Sequence, residues 1–264
     1  MITGGIDAGS RAIKVVLYDH DQRRIVSCGI ADQGLDQHGL ARNLFERTLQ
    51  QAGLDSGRVA AVVATGYGRN ALDFADTTIS EISCHACGVR HLAPDTRTVI
   101  DIGGQDSKII RLDGEGRVRD FAMNDRCAAG SGRFLEVVAA RLGTDLEGLG
   151  RLGGASERPA VISSTCVVFA ETEIVGLLAQ GVPVPDIAAG VQKSIALRVA
   201  ALAGRGLEAP VYFTGGVALQ AGMVRALERA LAVPLQAVAR AQFTGALGAA
   251  LLATPRLHRP PSGA

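Results

Sequence analysis

Two stretches of the 264-residue chain, one opening near residue 2 and one near residue 97, repeat a single order: apolar strand, Asp-x-Gly turn, strand, polar turn, strand. A repeat of this kind restricts the fold to duplicated architectures, because each copy must bury equivalent faces. The first copy reads Gly4-Gly5-Ile6-Asp7-Ala8-Gly9-Ser10, then Ala12 to Tyr18, the turn Asp19-His20-Asp21, and Arg24 to Ile30. The second reads Thr98 to Ile102, the turn Asp101-Ile102-Gly103-Gly104-Gln105-Asp106, Lys108 to Leu112, the turn Asp113-Gly114-Glu115-Gly116, and Val118 to Met123. Runs rich in Ile and Val bounded by such turns predict antiparallel meanders. Glycine lets the backbone approach a phosphate closely, Ser10 adds a hydroxyl and an N–H, and Asp7 is suited to holding Mg²⁺ through water. One Asp-x-Gly tetrapeptide is common in ordinary turns. Two of them in matching positions are suited to clamping one polyphosphate between the halves.

Helical periodicity predicts helices over Gly39 to Gln51, Val184 to Gly204, Gln220 to Leu231 and the Ala-rich stretch Ala241 to Ala253. Short apolar runs at Val59 to Ala64, Val211 to Thr214 and Leu235 to Val238 predict further strands. Thr65-Gly66-Tyr67-Gly68-Arg69 reads as a loop with special backbone angles, and Gly215-Gly216 after an apolar strand predicts backbone passing close to a flat ligand. The tail from Thr254 to Ala264 holds three prolines and is expected to fray.

The cysteines carry the second signal. Cys127 precedes Ala128-Ala129-Gly130-Ser131-Gly132 and a helical pattern from Phe134 to Leu142, which predicts a thiol at a helix N-terminus. Cys166 follows Ser163-Ser164-Thr165 and leads a predicted helix from Val167 to Leu178, with Glu171 and Glu173 in its first turns. Free N–H groups and the helix dipole at such ends favour an anion, and they lower a thiol's pKa. The residues alone leave two readings open: ligands of an anionic iron–sulfur cluster, or small buried hydrophobes. Cys84 and Cys87 form a Cys-x-x-Cys pair with His85 between them and His91 nearby. Without a second such pair, and in a helical setting, a helix face is favoured over a metal or redox site.

At 47% hydrophobic, the chain is large enough for one big domain or two modest ones. A net charge of +1 without a basic run points to no nucleic acid and no anionic membrane. No stretch is long and apolar enough to span a bilayer, and Met1 leads straight into a strand rather than a signal sequence. Five cysteines without a disulfide-like framework fit a reducing cytoplasm.

Three separated motifs then agree in order: Asp7-Ala8-Gly9-Ser10, Asp101-Ile102-Gly103-Gly104-Gln105 and Thr214-Gly215-Gly216-Val217-Ala218. They resemble the phosphate-1, phosphate-2 and adenosine motifs of the actin, sugar-kinase and heat-shock-chaperone ATPase superfamily. Four longer segments narrow the match: Ala64 to Asn70, Val99 to Asp106, Met123 to Leu135 and Ile162 to Glu171. These look like the activator component of 2-hydroxyacyl-CoA dehydratases, a family that also holds the ATPase subunits of benzoyl-CoA reductase. The resemblance covers nearly the whole chain apart from the proline tail.

The resemblance implies an α/β chain with a duplicated ATPase fold, two ribonuclease-H-like halves around a nucleotide cleft. The expected divisions are 1–96, completed by the helix at about 241–253, then 97–240 with Cys127 and Cys166, and a tail over 254–264. It implies a cytoplasmic homodimer with one bridging [4Fe-4S] cluster held by Cys127 and Cys166 of each chain. ATP hydrolysis with Mg²⁺ would drive one electron at very low potential, drawn from reduced ferredoxin or flavodoxin, into an iron–sulfur dehydratase or reductase partner. Asp7 and Asp101 would organise Mg²⁺, and Gln105 or Asp106 the attacking water. Gly9, Ser10, Arg11, Ala12, Ile13, Lys14, Gly103 and Gly104 would surround the phosphates. Gly215, Gly216 and Val217 would contact adenosine, with Glu136 and Gln242 as further nucleotide residues. Arg11 departs from the family's usual Thr. Rival readings are a benzoyl-CoA reductase ATPase subunit, a small-molecule kinase of the same superfamily, and a non-catalytic nucleotide switch.

Overall fold

In the computed structural model, residues 1–125, 127–164, 166–204 and 206–253 are described. The expected fraying of 254–264 lies outside them. The chain divides into two units, Met1–Asp95 with Gly116–Val118 and the segment from Gln242, and Thr96–Glu115 with Arg119–Ala241.

The first unit is built on a five-stranded sheet ordered β3-β2-β1-β4-β5. Its strands are β1 (Ile2–Ala8), β2 (Ala12–Asp19), β3 (Arg24–Asp32), β4 (Val59–Thr65) and β5 (Thr77–Thr78). β1, β2 and β3 form the predicted antiparallel meander, and β4 returns parallel to β1. Alternation along β2 sorts the core onto both faces. Ile13, Val15 and Leu17 meet Ala41, Leu44, Phe45 and Leu49 of α1 (Gln37–Gln51). Val16 and Tyr18 meet Ala246, Leu247 and Ala250 of α8 (Thr244–Leu252). The α8 helix packs unusually close. A Cβ on Gly5 of β1 would fall 2.0 Å from the Ala246 carbonyl oxygen. A Cβ on Gly88 of α2 (Glu81–Leu92) would fall 2.0 Å from that of Thr244.

The second unit carries the sheet β10-β9-β6-β7-β8, with β6 (Thr98–Ile102), β7 (Ser107–Leu112), β8 (Val118–Asn124), β9 (Val211–Thr214) and β10 (Leu235–Ala237). Read outward from the third strand of each copy, the two sheets have one order. The internal repeat therefore runs through all five strands, beyond the three that the sequence motifs mark. The connections differ. In the first unit β3 reaches β4 through α1 and a short 3₁₀ turn, whereas in the second β8 reaches β9 through α3 (Gly132–Arg141), α4 (Leu146–Gly154), α5 (Val167–Ala179) and α6 (Val184–Ala203). The last helix before the C-terminal segment is α7 (Ala221–Leu231).

Two expectations need correction. Ala241 to Ala253 is not one helix, because Ala241–Phe243 is a 3₁₀ turn before α8. Cys127 does not begin an α-helix: it precedes the three-residue 3₁₀ turn Ala128–Gly130, and α3 starts at Gly132 with Ser131 as its cap. The small, flexible residues of that run break the helix before it can extend back to the thiol.

Candidate functional site

The Asp-x-Gly turns close their strand pairs in the same register. Asp7 of β1 lies opposite Lys14 of β2, and Asp101 of β6 lies opposite Lys108 of β7. Lys14 Nζ donates to Asp7 Oδ2 at 3.3 Å. Lys108 Nζ donates to Asp101 Oδ2 at 3.1 Å and pairs with Asp106 Oδ2 at 2.8 Å. The Lys108 side chain is 2% exposed against 17% for Lys14. Each ammonium offsets the cost of burying the carboxylate beside it. Lys108 escaped the sequence reading, although the seven-residue step from Asp to Lys is the same in both copies.

The fourth strand adds a second repeated feature. Thr65 pairs in register with Asp7, and Thr214 with Asp101. Each Thr is followed by a glycine at positive φ, Gly66 at 91° and Gly215 at 87°. A Cβ at either would fall 2.5 Å from Oδ1 of the facing aspartate. Only glycine serves there, on backbone grounds and on space. The first of these Thr-Gly steps was legible only as a loop.

Around the second turn the backbone is fully engaged on one side. Gly103 N–H donates to the Asp106 carbonyl at 3.0 Å, closing the turn. The carbonyls of Gly103 and Gly104 accept from the N–H groups of Gly132 and Arg133, the first two residues of α3, both at 2.8 Å. A Cβ on Gly132 would sit 2.9 Å from the Gly103 oxygen and 3.2 Å from Val217 Cγ2, so α3, the turn and the Gly-Gly-Val segment meet at one point. The Gly103 amide is thus used inside the turn. The amides of Gly104 and Gln105 have no backbone partner among the described residues.

The remaining predicted residues are placed as follows. Gly9 is next to Lys14, its carbonyl accepts from Gln33 Nε2 at 2.9 Å, and Ser10 and Ala12 are half-buried. The Ile13 side chain belongs to the core, so only its backbone is available to a ligand. Arg11 reaches Asp32 at 3.2 Å. Gln105 is exposed and Gln242 half-buried. Glu136 pairs with Arg133 at 3.0 Å on α3. Gly215 N–H and Thr214 Oγ1 both donate to the Ala241 carbonyl, at 3.1 and 2.8 Å.

Cys127 and Cys166 are both exposed thiols. Asn124 frames Cys127 from both sides: its Oδ1 accepts from the Cys127 N–H at 3.3 Å and its Nδ2 donates to the Cys127 carbonyl at 2.9 Å. Cys166 leads α5 as predicted, and it takes the N-cap position itself, without a side-chain capping bond, in place of the expected Ser and Thr caps. Glu173, two turns on, accepts from Ser163 N–H, Ser163 Oγ and Ser164 N–H at 2.8, 2.7 and 2.9 Å. Burial works to raise the Glu173 pKa, but these hydrogen bonds outweigh it and bring it down to about 2. Arg141 of α3 bonds Glu171 of α5, tying the two cysteine-led segments together. Among the described residues no group of three or more His, Cys, Asp or Glu side chains is placed to hold a metal.

The Cys84-x-x-Cys87 pair lies on α2, as predicted for a helix face. Burial pushes the Cys84 thiol up to about 12 and raises that of Cys87. Such thiols are poor metal ligands. His85 bonds Thr244 Oγ1 at 3.0 Å and His91 bonds Tyr18.

Comparison with known proteins gives a family model, described as the BadF/BadG/BcrA/BcrD ATPase family, that matches residues 5–253. An activator of lactoyl-CoA dehydratase from Anaerotignum propionicum is 47% identical over 254 residues, covering 96% of this chain and 97% of that protein. The solved activator of the 2-hydroxyisocaproyl-CoA dehydratase from Clostridium difficile, with bound ADPNP, superposes with a TM-score of 0.91 at 42% identity over 97% of this chain and 96% of its own. A ROK family glucokinase from Streptomyces griseus has a TM-score of 0.59 at 18% identity, over 96% of this chain and 99% of its own, a likeness of fold alone. The duplicated actin and sugar-kinase type of ATPase fold expected from the motifs is thus the one observed. Among the described residues no helix is long and apolar enough to cross a membrane.

Proposed function

The chain belongs to the BadF/BadG/BcrA/BcrD ATPase family, and from that premise we propose that it is the ATP-dependent activator of a 2-hydroxyacyl-CoA dehydratase. In this reading the working form is a homodimer that passes single low-potential electrons to the dehydratase at the expense of Mg-ATP, with reduced ferredoxin or flavodoxin as the source.

The observation that carries the reading is the junction of α3 with the Asp101 turn. A turn suited to phosphate and a helix that begins five residues after Cys127 share two backbone hydrogen bonds. In phosphoryl transfer the protein's work is positioning and charge stabilisation. Gly9, Ser10, Gly104 and Gln105 offer N–H groups to phosphate oxygens. Asp7 and Asp101 are the carboxylates suited to Mg²⁺, and Lys14 and Lys108 hold them in place. Gln105 or Asp106 orients the attacking water, while Gly215, Gly216 and Val217 receive adenosine, flanked by Glu136 and Gln242.

A [4Fe-4S] cluster takes four thiolates and stores one electron. Cys127 and Cys166 are exposed thiols on tethered segments, and one chain supplies two, half the donor set. A second copy would supply the rest under two-fold symmetry. Large apolar side chains exposed within a few residues of each cysteine along the chain support that partner: Phe121 and Met123 on β8, Val161, and Val168 and Phe169 on α5, with Phe169 69% exposed. The test is an anaerobic preparation assayed for visible absorption, iron, sulfide and ATP turnover. About four irons per dimer is the expected result. Mg-ATP hydrolysis without any iron, or a full cluster on isolated monomers, would overturn the reading.

A further inference from the structure

A groove of about 350 Å³ opens in the second unit where α4, α6 and α7 meet. Gln192 of α6 lines it and is 2% exposed. Its amide occupies a slot left open by two glycines: a Cβ on Gly153 of α4 would fall 2.5 Å from Gln192 Oε1, and one on Gly222 of α7 would fall 2.4 Å from it. Gln192 Nε2 is buried with no hydrogen-bond partner. That nitrogen is enclosed between the α4 and α7 backbones and does not open on the groove, so the chemistry of the groove is set by its rim.

The rim points to an anion. Lys193, Arg225 and Arg229 line the groove, and no carboxylate is among its described lining residues. Arg225 is anchored by a 3.0 Å bond from Nη2 to the Gly154 carbonyl at the end of α4. Lys193 and Arg229 form no ion pair among the described residues. Charged donors with no facing carboxylate call for an acceptor-rich anion. Pro159, Leu197 and Ala226 give the wall an apolar side. The volume lies within the range of about 300–1,000 Å³ usual for small-molecule sites.

We infer that the α4–α6–α7 groove binds a small organic anion, a phosphate monoester or carboxylate on a short apolar body, with Lys193, Arg225 and Arg229 donating to its acceptor oxygens. The site is separate from the Asp-x-Gly and Gly-Gly-Val residues. The experiment titrates the full chain, by calorimetry in chloride buffer, with phenyl phosphate, benzoate and inorganic phosphate, each with and without Mg-ATP. Saturable binding of phenyl phosphate or benzoate at one site per chain is expected, and the stronger of the two identifies the head group. Inorganic phosphate should bind more weakly, lacking the apolar body. Lys193→Ala with Arg229→Ala should weaken binding at least about tenfold. Gln192→Met, close in shape, should leave binding unchanged while the melting temperature stays or rises, because a buried unpaired donor beneath the groove is removed. Absence of saturable binding, meaning that water alone fills the groove, would overturn the inference. So would displacement by Mg-ATP, or full binding by the chain with Lys193→Ala and Arg229→Ala.

Discussion

The two units share a strand order, an Asp–Lys pair across the first two strands and a Thr-Gly step at the end of the fourth. They differ in what joins the third strand to the fourth. In the first unit that connection, 33–58, is little more than α1, whereas in the second it spans 125–210 and carries four α-helices and both exposed cysteines. The comparison separates two kinds of work. What is duplicated is the equipment suited to phosphate. What is present once is the pair of exposed cysteines, carried in a connection where added length costs little, since loop-closure entropy grows only slowly with chain length. The lysines sharpen the contrast. Lys14 serves one aspartate near the surface, whereas Lys108 serves two and is closed off from solvent.

Asp101→Ala set beside Asp7→Ala probes the duplicated part. Each is expected to lower Mg-ATP hydrolysis by about a thousandfold while the far-ultraviolet circular dichroism stays native. Full turnover in either variant would mean that only one copy of the turn handles phosphate. The single-copy part is probed through iron content. Cys127→Ser and Cys166→Ser should each lose the metal, whereas Cys84→Ser with Cys87→Ser should retain it, because Cys84 packs against the sheet and α8 and burial disfavours both thiolates. Iron lost from the double variant in a folded chain would move the metal site into the first unit.

Next in size is the contrast between the lysines. Lys108→Met removes the cation shared by two adjacent carboxylates and should destabilise the chain by about 3–5 kcal/mol. Lys14→Met, at a wetter pair, should cost about 1 kcal/mol. Equal urea midpoints for the two variants would show that burial of Lys108 adds nothing. The smallest effect concerns Glu173. Its folded-state pKa is depressed, so its contribution is present above the unfolded value near 4.5 and is lost as pH falls toward about 2. Glu173→Gln should cost less than about 1 kcal/mol at pH 7 once solvent screening is allowed for, and the difference from wild type should vanish near pH 2. A gap that persists there would point to packing rather than charge.

The meanders were legible because strand runs and Asp-x-Gly turns are local signals, and the duplication follows from seeing them twice. The fourth and fifth strands were harder to pair, since the copies share only a Thr-Gly step whose likeness lies in backbone angle. No helix was predicted at α4, because four of its nine residues are glycine. Its place is decided by tertiary contact: Gly153 makes room for an amide from α6, information absent from the local segment. Gln192 was invisible for the same reason, as a polar residue within a helix ordinarily faces water. Cys127 was assigned to the right neighbourhood with the wrong local geometry, since a helical pattern downstream does not say how many residues of flexible lead precede it.

The clasp between α3 and the Asp101 turn has a consequence for motion. In a trans peptide unit the C=O and N–H point in opposite directions. With the Gly103 and Gly104 oxygens gripped by the first two amides of α3, the N–H groups of Gly104 and Gln105 are aimed the opposite way by that grip. Neither peptide plane can flip without unlacing the start of the helix. Glycine, elsewhere a source of looseness, is here made stiff by its neighbours. A tug on those two N–H groups is delivered as a displacement of a rod end rather than absorbed as local rotation, five residues along the chain from the Cys127 thiol.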